Sequence, residues 1–246
     1  MQIGLIGAGN MAGALARGWG RPVLASDGGS GRARRLVEQL GGEALSNAEV
    51  AERADILILA HKPYQLEAVA EQARGHAKTV VSVLGGTSTE TLQAAYPGAE
   101  VFVMIPNTPV EVRRGVTVHV EGPHSGARNE VLGLFRELGV VVSVPEHLAG
   151  AATALSGCAP AFLALVAEAE IDAGIRHGLK PWDAENLVIE TLAGTAELLL
   201  LRDRDTLALR REVTSPGGST ARGLAALEQG GVRDAFAKAV DAVANK

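Results

Sequence analysis

Through its first part the chain alternates two patterns of apolar and polar residues. Short runs of consecutive apolar residues lie at 3–6, 23–26, 56–59, 80–83, 101–105, 116–120 and 140–144. Unbroken apolar runs of this length fit strands covered on both faces, as in a parallel sheet. Between them, helical spacing recurs at 11–19, 32–40, 64–74, 88–95 and 128–138. Strand-helix alternation of this kind predicts a doubly wound parallel α/β domain over 1–148.

After Pro145 no strand-like run returns, and the pattern predicts an all-α domain over 149–246. At 184–199, Ala184, Leu187, Val188, Leu192, Leu198 and Leu199 recur at helical spacing. The helix predicted at 152–176 is apolar nearly all round, with Phe162, Leu163, Leu165, Val166, Ile171 and Ile175. A helix with no polar face needs cover on every side. So small a helical domain cannot supply that cover alone, which predicts a homodimer whose subunits interleave here.

Composition narrows the function classes. The 246 residues are 47% hydrophobic and 21% charged, as in a packed globular protein. Net charge is −5 with no basic segment, so nothing marks a nucleic-acid surface. Cys158 is the sole cysteine, and the six histidines (His61, His76, His119, His124, His147, His177) show no metal-ligand spacing. The start lacks the pattern of a signal peptide, and the apolar runs read as shorter than a membrane span. Together these predict a cytoplasmic protein with no metal and no membrane partner.

The first strand runs directly into Gly7-Ala8-Gly9-Asn10-Met11-Ala12, which opens a helix. In that setting G-x-G-x-x-A is a dinucleotide fingerprint: Gly7 makes the tight turn and Gly9 lets backbone approach a pyrophosphate. A structural glycine turn is the alternative. Asp27 follows about 20 residues after Gly7, where an acid takes the ribose hydroxyls of NAD. Ser26, Ser30, Arg32 and Arg34 around it suit a 2′-phosphate instead, so the loop favours NADP and leaves NAD open. Asp27 acting only as a cap for the helix at 32–40 is a third reading.

Two further loops end predicted strands: His61-Lys62-Pro63 and Pro106-Asn107-Thr108-Pro109. Carboxyl ends of parallel strands face the ligand crevice. Asn107 is read either as a ligand-side residue or as a turn residue bonded to backbone. Ser215-Pro216-Gly217-Gly218-Ser219-Thr220 lies between helical stretches, where amides at a helix start beside two hydroxyls make a carboxylate site. The alternative is an ordinary helix capped by Ser219 or Thr220. Cys158 has no His or Asp nearby in sequence to activate it and reads as a packing residue.

Taken together, Ile6–Ala12, Lys62-Pro63, Pro106–Pro109, Ser156-Gly157 with Pro160-Ala161, and Val213–Thr220 resemble the pyrroline-5-carboxylate reductase family. The resemblance runs from Ile3 to about Phe236. It implies a Rossmann domain, a helical dimerisation domain, homodimers that in some members build higher oligomers, and a site completed by the partner subunit. It further implies hydride transfer from NAD(P)H to the C=N carbon of Δ1-pyrroline-5-carboxylate, giving proline. Gly7, Gly9, Asn10, Met11, Ser26, Arg32, His61, Lys62, Pro63 and Asn107 would hold the cofactor. Gly217, Gly218, Ser219 and Thr220 would bind the substrate, with Thr220, Ser215 and Asn107 as the catalytic set. The chain departs from the family pattern at His61, where a small aliphatic residue is usual, and at Cys158-Ala159. A reductase of another cyclic imine and a non-catalytic nicotinamide-binding regulator are the competing readings. A β-hydroxyacid dehydrogenase relative would carry a lysine between Pro145 and Gly178, and none is there.

Overall fold

The computed structural model describes residues 1–123 and 126–244. His124 and the chain's last two positions lie outside the described residues. The apolar runs form strands β1 (Ile3–Ile6), β2 (Val23–Ser26), β4 (Ile56–Leu59), β5 (Thr79–Ser82), β6 (Glu100–Pro106), β7 (Gly115–Val120) and β8 (Gly139–Val144). With β3 (Gly42–Ala44) they make one eight-stranded sheet, ordered β3-β2-β1-β4-β5-β6-β7-β8. Helices α1 (Asn10–Trp19), α2 (Arg32–Leu40), α3 (Asn47–Arg53), α4 (Leu66–Ala73), α5 (Thr89–Ala95) and α6 (Arg128–Arg136) connect and cover it.

Why apolar runs work here is visible in β4. Successive side chains of a strand point to opposite faces. Ile56 and Ile58 enter one core cluster with Trp19, Phe102 and Phe135, while Leu57 and Leu59 enter the other with Val80, Leu92 and Tyr96. Trp19 meets Phe135 edge to face, with ring centroids 5.9 Å apart, and its Nε1 donates to the Leu134 carbonyl at 3.0 Å.

Four expectations need correction. First, the sheet is not parallel throughout: β6 and β7 pair antiparallel, Val103 opposite Val120. The link between them holds only a short 3₁₀ turn at Thr108–Val112, far too little chain for a parallel crossover. Second, β3 and α3 add two elements to the predicted set. β3 is three exposed residues at the sheet edge, with no apolar run to announce it. α3 did carry a signal, a capping box in which Ser46 Oγ accepts from the Glu49 N–H and the Glu49 carboxylate from the Ser46 N–H.

Third, the helix expected over 152–176 is two helices, α7 (Ala149–Leu155) and α8 (Ala159–Arg176). The chain leaves α7 at Ser156, and the Cys158 N–H closes back on the Thr153 carbonyl at 3.0 Å. Pro160 then sits in the first turn of α8, where its missing N–H costs nothing. Fourth, by length and composition the stretch Glu146–Arg176 does reach a membrane span, with a window of mean hydropathy 1.6 that is 11% buried.

The described chain separates into two compact units, Met1–Pro160 with Val243 and Ala244, and Ala161–Ala242. The second holds most of α8, then α9 (Pro181–Leu201), α10 (Thr206–Glu212), α11 (Ser219–Gln229) and most of α12 (Val232–Ala244). Only Ala167 of α8 and Ala184 of α9 are buried, while Leu163 and Leu165 are 55% and 65% exposed. A single chain therefore leaves the apolar faces of these helices uncovered.

Candidate active site

Gly7 bends the chain between β1 and α1 with φ +99°, which L side chains rarely adopt. Its N–H donates to the Ser26 carbonyl at 3.0 Å, and a Cβ there would sit 2.6 Å from the Ala60 and His61 backbone. Gly9 caps α1 without a side-chain bond, and a Cβ on it would meet no protein atom within 4 Å. The turn is thus closed on the sheet side and open on the other, where the first amides of α1 face a cleft. An uncapped helix start with glycine backbone is a cradle for an anion.

That cleft is two adjoining cavities. One, of about 210 Å³, is lined by Gly7, Gly9, Asp27, Ser30, Arg32, Asn47, His61, Lys62 and Gln65. The other, of about 460 Å³, is lined by Gly9, Asn10, Met11, Arg32, His61, Lys62, Pro63, Leu84, Gly85 and Thr108. Gly9, Arg32, His61 and Lys62 belong to both. Beyond Leu84 and Gly85 a third, mainly apolar cavity of about 550 Å³ takes in Val103, Ile105, Thr153 and Cys158. Of the expected cofactor residues, the structure gathers Gly7, Gly9, Asn10, Met11, Arg32, His61, Lys62 and Pro63 along one cleft. The uncapped amides, the open face of Gly9 and the Arg32 guanidinium fit a dinucleotide's phosphates.

Ser26 and Asn107 stand behind the cleft. Ser26 is buried, and its hydroxyl donates to Asn47 Oδ1 at 2.6 Å. Asn107 is also buried, with Nδ2 donating to the Ser156 carbonyl and Oδ1 accepting from the Val116 N–H. Its neighbour Thr108 is the residue that lines the cavity.

Asp27 and His61 are the cleft groups whose pKa the fold shifts. Partial burial pushes the Asp27 carboxyl up, but hydrogen bonds from the Ala33 N–H, the Ser30 hydroxyl and the Gly29 N–H outweigh it and hold the group below its ordinary value. Burial also lowers the His61 imidazole, against the opposing pull of the Lys62 carbonyl. His61 Nδ1 lies 2.8 Å from that carbonyl, which can only accept, so Nδ1 carries the proton. Nε2 is buried with no hydrogen-bond partner.

The Ser215–Thr220 loop belongs to the C-terminal unit. Gly217 takes φ +70° and the Gly218 N–H closes on the Ser215 carbonyl at 3.0 Å. Gly218 is the cap of α11 and supplies no side-chain bond, so neither Ser219 nor Thr220 caps the helix. Both lie in its first turn with exposed side chains, and Arg222 Nη1 donates to the Gly217 carbonyl at 2.9 Å.

Residues 146–246 match the family model for pyrroline-5-carboxylate reductase dimerisation, and residues 2–86 that for NADP oxidoreductase, coenzyme F420-dependent. The chain is 36% identical to the pyrroline-5-carboxylate reductase of Synechocystis sp., covering 98% of this chain and 95% of that protein. The chain belongs to the pyrroline-5-carboxylate reductase family. Another member, from Thermus thermophilus, is 35% identical over 100% of this chain and 97% of its own length. Among solved pyrroline-5-carboxylate reductases, the Coxiella burnetii structure superposes with a TM-score of 0.88 at 30% identity, covering 99% of this chain and 96% of that one. The Plasmodium falciparum pyrroline carboxylate reductase, solved with NADP bound, also gives 0.88, at 27% identity over 100% and 96%.

Against the family pattern, His61 and Cys158 now have places. His61 lines the cofactor cleft and Cys158 the apolar cavity beyond Leu84. Sequence reasoning missed Asn47, Gln65 and Thr108 as cleft residues of this reductase. Thr108 lies within Pro106–Pro109 and Gln65 closely follows Lys62-Pro63, its side chain accepting from the Lys62 N–H at 3.0 Å, while Asn47 arrives only through tertiary packing.

Proposed function

We propose that this chain reduces Δ1-pyrroline-5-carboxylate to proline with NADPH, as a cytoplasmic homodimer. The carrying observation is the dinucleotide cleft at Gly7–Met11 in a chain that also holds the uncapped Ser215–Thr220 loop, all within a full-length match to reductases of this name. The working division is a dinucleotide domain over 1–148 and a dimerisation and substrate domain over 149–246.

NADPH, once bound, supplies the hydride that reaches the C=N carbon. The amides around Gly9, Asn10 and Met11 hold its pyrophosphate at the start of α1. Arg32 takes the 2′-phosphate, and His61, Lys62 and Pro63 wall the cleft. Ser26 acts through Asn47, and Asn107 acts by fixing Thr108 and Ser156 in place. The amides of Ser219 and Thr220 hold the substrate carboxylate, while the Gly218 N–H, expected to join them, is taken by the Ser215 carbonyl and ties the loop. The Thr220 hydroxyl bonds the ring nitrogen. A protonated imine is already electrophilic, so positioning is the protein's main task. The uncovered apolar helices α8 and α9 are the surface a second copy covers, which also accounts for the apolar stretch Glu146–Arg176 without a membrane.

Absorbance decay at the reduced nicotinamide band, with Δ1-pyrroline-5-carboxylate and NADPH or NADH in parallel, tests the reaction. Rapid oxidation of NADPH is expected. Cofactor binding without turnover would sink the reading. Sedimentation of the same preparation tests the dimer, and a monomer at working concentration would reject it.

A further inference from the structure

Resting on the NADPH reading above, we infer that Asp27 is a positioning residue for the 2′-phosphate subsite and not a ligand of the adenosine ribose. An acid at the end of the second strand grips the two ribose hydroxyls of NAD through its carboxylate. A carboxylate has about four lone-pair sites. Here Oδ2 already accepts from the Ser30 hydroxyl at 2.9 Å and the Ala33 N–H at 2.8 Å, and Oδ1 from the Gly29 N–H at 2.9 Å. With Oδ2 filled, a grip using both oxygens is closed.

The same three bonds shape the loop. They hook residues 27–33 around the carboxylate, with Gly29 at φ +87° and Gly31 at φ +71°. The Arg32 N–H adds a longer tie to Ser30 Oγ at 3.4 Å. The hook brings Arg32 to the place where the two cofactor cavities meet. Among the described residues Arg32 enters no ion pair, so its guanidinium is left for an outside anion. A guanidinium matches a phosphate group in geometry and charge. These neutral donors stabilise the carboxylate without cancelling its charge, and Arg32 is the group beside it that offers a positive charge to a ligand phosphate. Asp27 thus favours NADPH over NADH by holding Arg32.

Fluorescence titration of the full-length protein with NADPH and with NADH reads this directly, in Asp27→Ala, Asp27→Asn and Arg32→Ala. Asp27→Ala is expected to raise the NADPH Kd about tenfold while the NADH Kd moves less than about twofold. Arg32→Ala should give the same selective loss. Asp27→Asn keeps an acceptor for the Ala33 N–H and should recover part of it. If Asp27→Ala does not fold, the NADPH to NADH ratio in Asp27→Asn carries the test. Tighter NADPH binding, or a loss confined to NADH, would make Asp27 a ribose ligand and overturn the inference. Equal losses for both cofactors, or none, would overturn it too. A wild-type protein that does not prefer NADPH fails the cofactor reading first, and the inference with it. A wild-type preference that survives in every Asp27 variant overturns the inference alone.

Discussion

Asn107 and Ser156, 49 residues apart, are joined by a buried hydrogen bond from the Asn107 amide to the Ser156 carbonyl at 3.2 Å. The other end of the same side chain accepts from the Val116 N–H at 2.8 Å. One side chain therefore ties the end of β6 to the start of β7 and to the break between α7 and α8. Asn107→Leu leaves a buried donor and a buried acceptor unpaired, each costing about 1–3 kcal/mol. Chemical denaturation should show a loss in that range or above, with kcat/KM falling as Thr108 is released. A variant as stable as wild type would show that water replaces both bonds.

Thr220 is exposed in the first turn of α11 and caps nothing, so its removal should not weaken the fold. Thr220→Ala is expected to keep its melting temperature and its NADPH affinity. The kcat/KM for the imine should drop by about 1–3 kcal/mol of transition-state binding, one unmade hydrogen bond. Thr220→Ser should restore most of it. Unaltered kinetics in the alanine variant remove the hydroxyl from the mechanism.

The lowered His61 pKa has a stability consequence whose sign is set by linkage. Folding favours the neutral imidazole, so His61 contributes fully above its unfolded value of about 6.5. As pH falls below that, the unfolded chain takes up the proton first, and the contribution is lost by the time the folded pKa is passed. Thermal melts at pH 7.5 and 5.5 should therefore show a larger drop in wild type than in His61→Gln. Equal drops would mean that the imidazole titrates alike in both states.

Tyr96 is buried in the second core cluster with its hydroxyl unpartnered, and burial pushes its pKa well up. A hydroxyl that lost water and gained no partner is a net cost. Tyr96→Phe is expected to raise stability by about 1 kcal/mol in urea denaturation. A loss would reveal a partner reached in solution, such as a trapped water.

The parts of this molecule readable in one dimension are those that local physics specifies. The run at 56–59 announces a strand because each side chain must leave water whichever face it takes, whereas the run at 140–144 does so through its β-branched valines, with Val140 and Val142 left exposed at the sheet edge. Gly7 and Gly9 announce the cofactor turn because only glycine permits its backbone and its open face. The loop at Ser215–Thr220 is local in the same sense, being one turn and one helix start. Even the missed α3 had a local mark in Ser46 and Glu49.

Other features came from contacts between distant segments, which no periodicity encodes. The reversal of β7 follows from the shortness of its link to β6 and the partners available on both sides. Ser26 looked like a cofactor residue because it stands beside Asp27. Alternation along β2 instead turns it inward onto Asn47, on a helix that packs there only in the folded chain. Asp27 admits three readings in one dimension, because hydrogen-bond partners, unlike residue types, exist only in three. The apolar helices α8 and α9 lie at the far limit: their pattern demands burial, yet Leu163, Leu165 and Leu187 stay exposed, since periodicity says that a face is apolar and not what surface meets it.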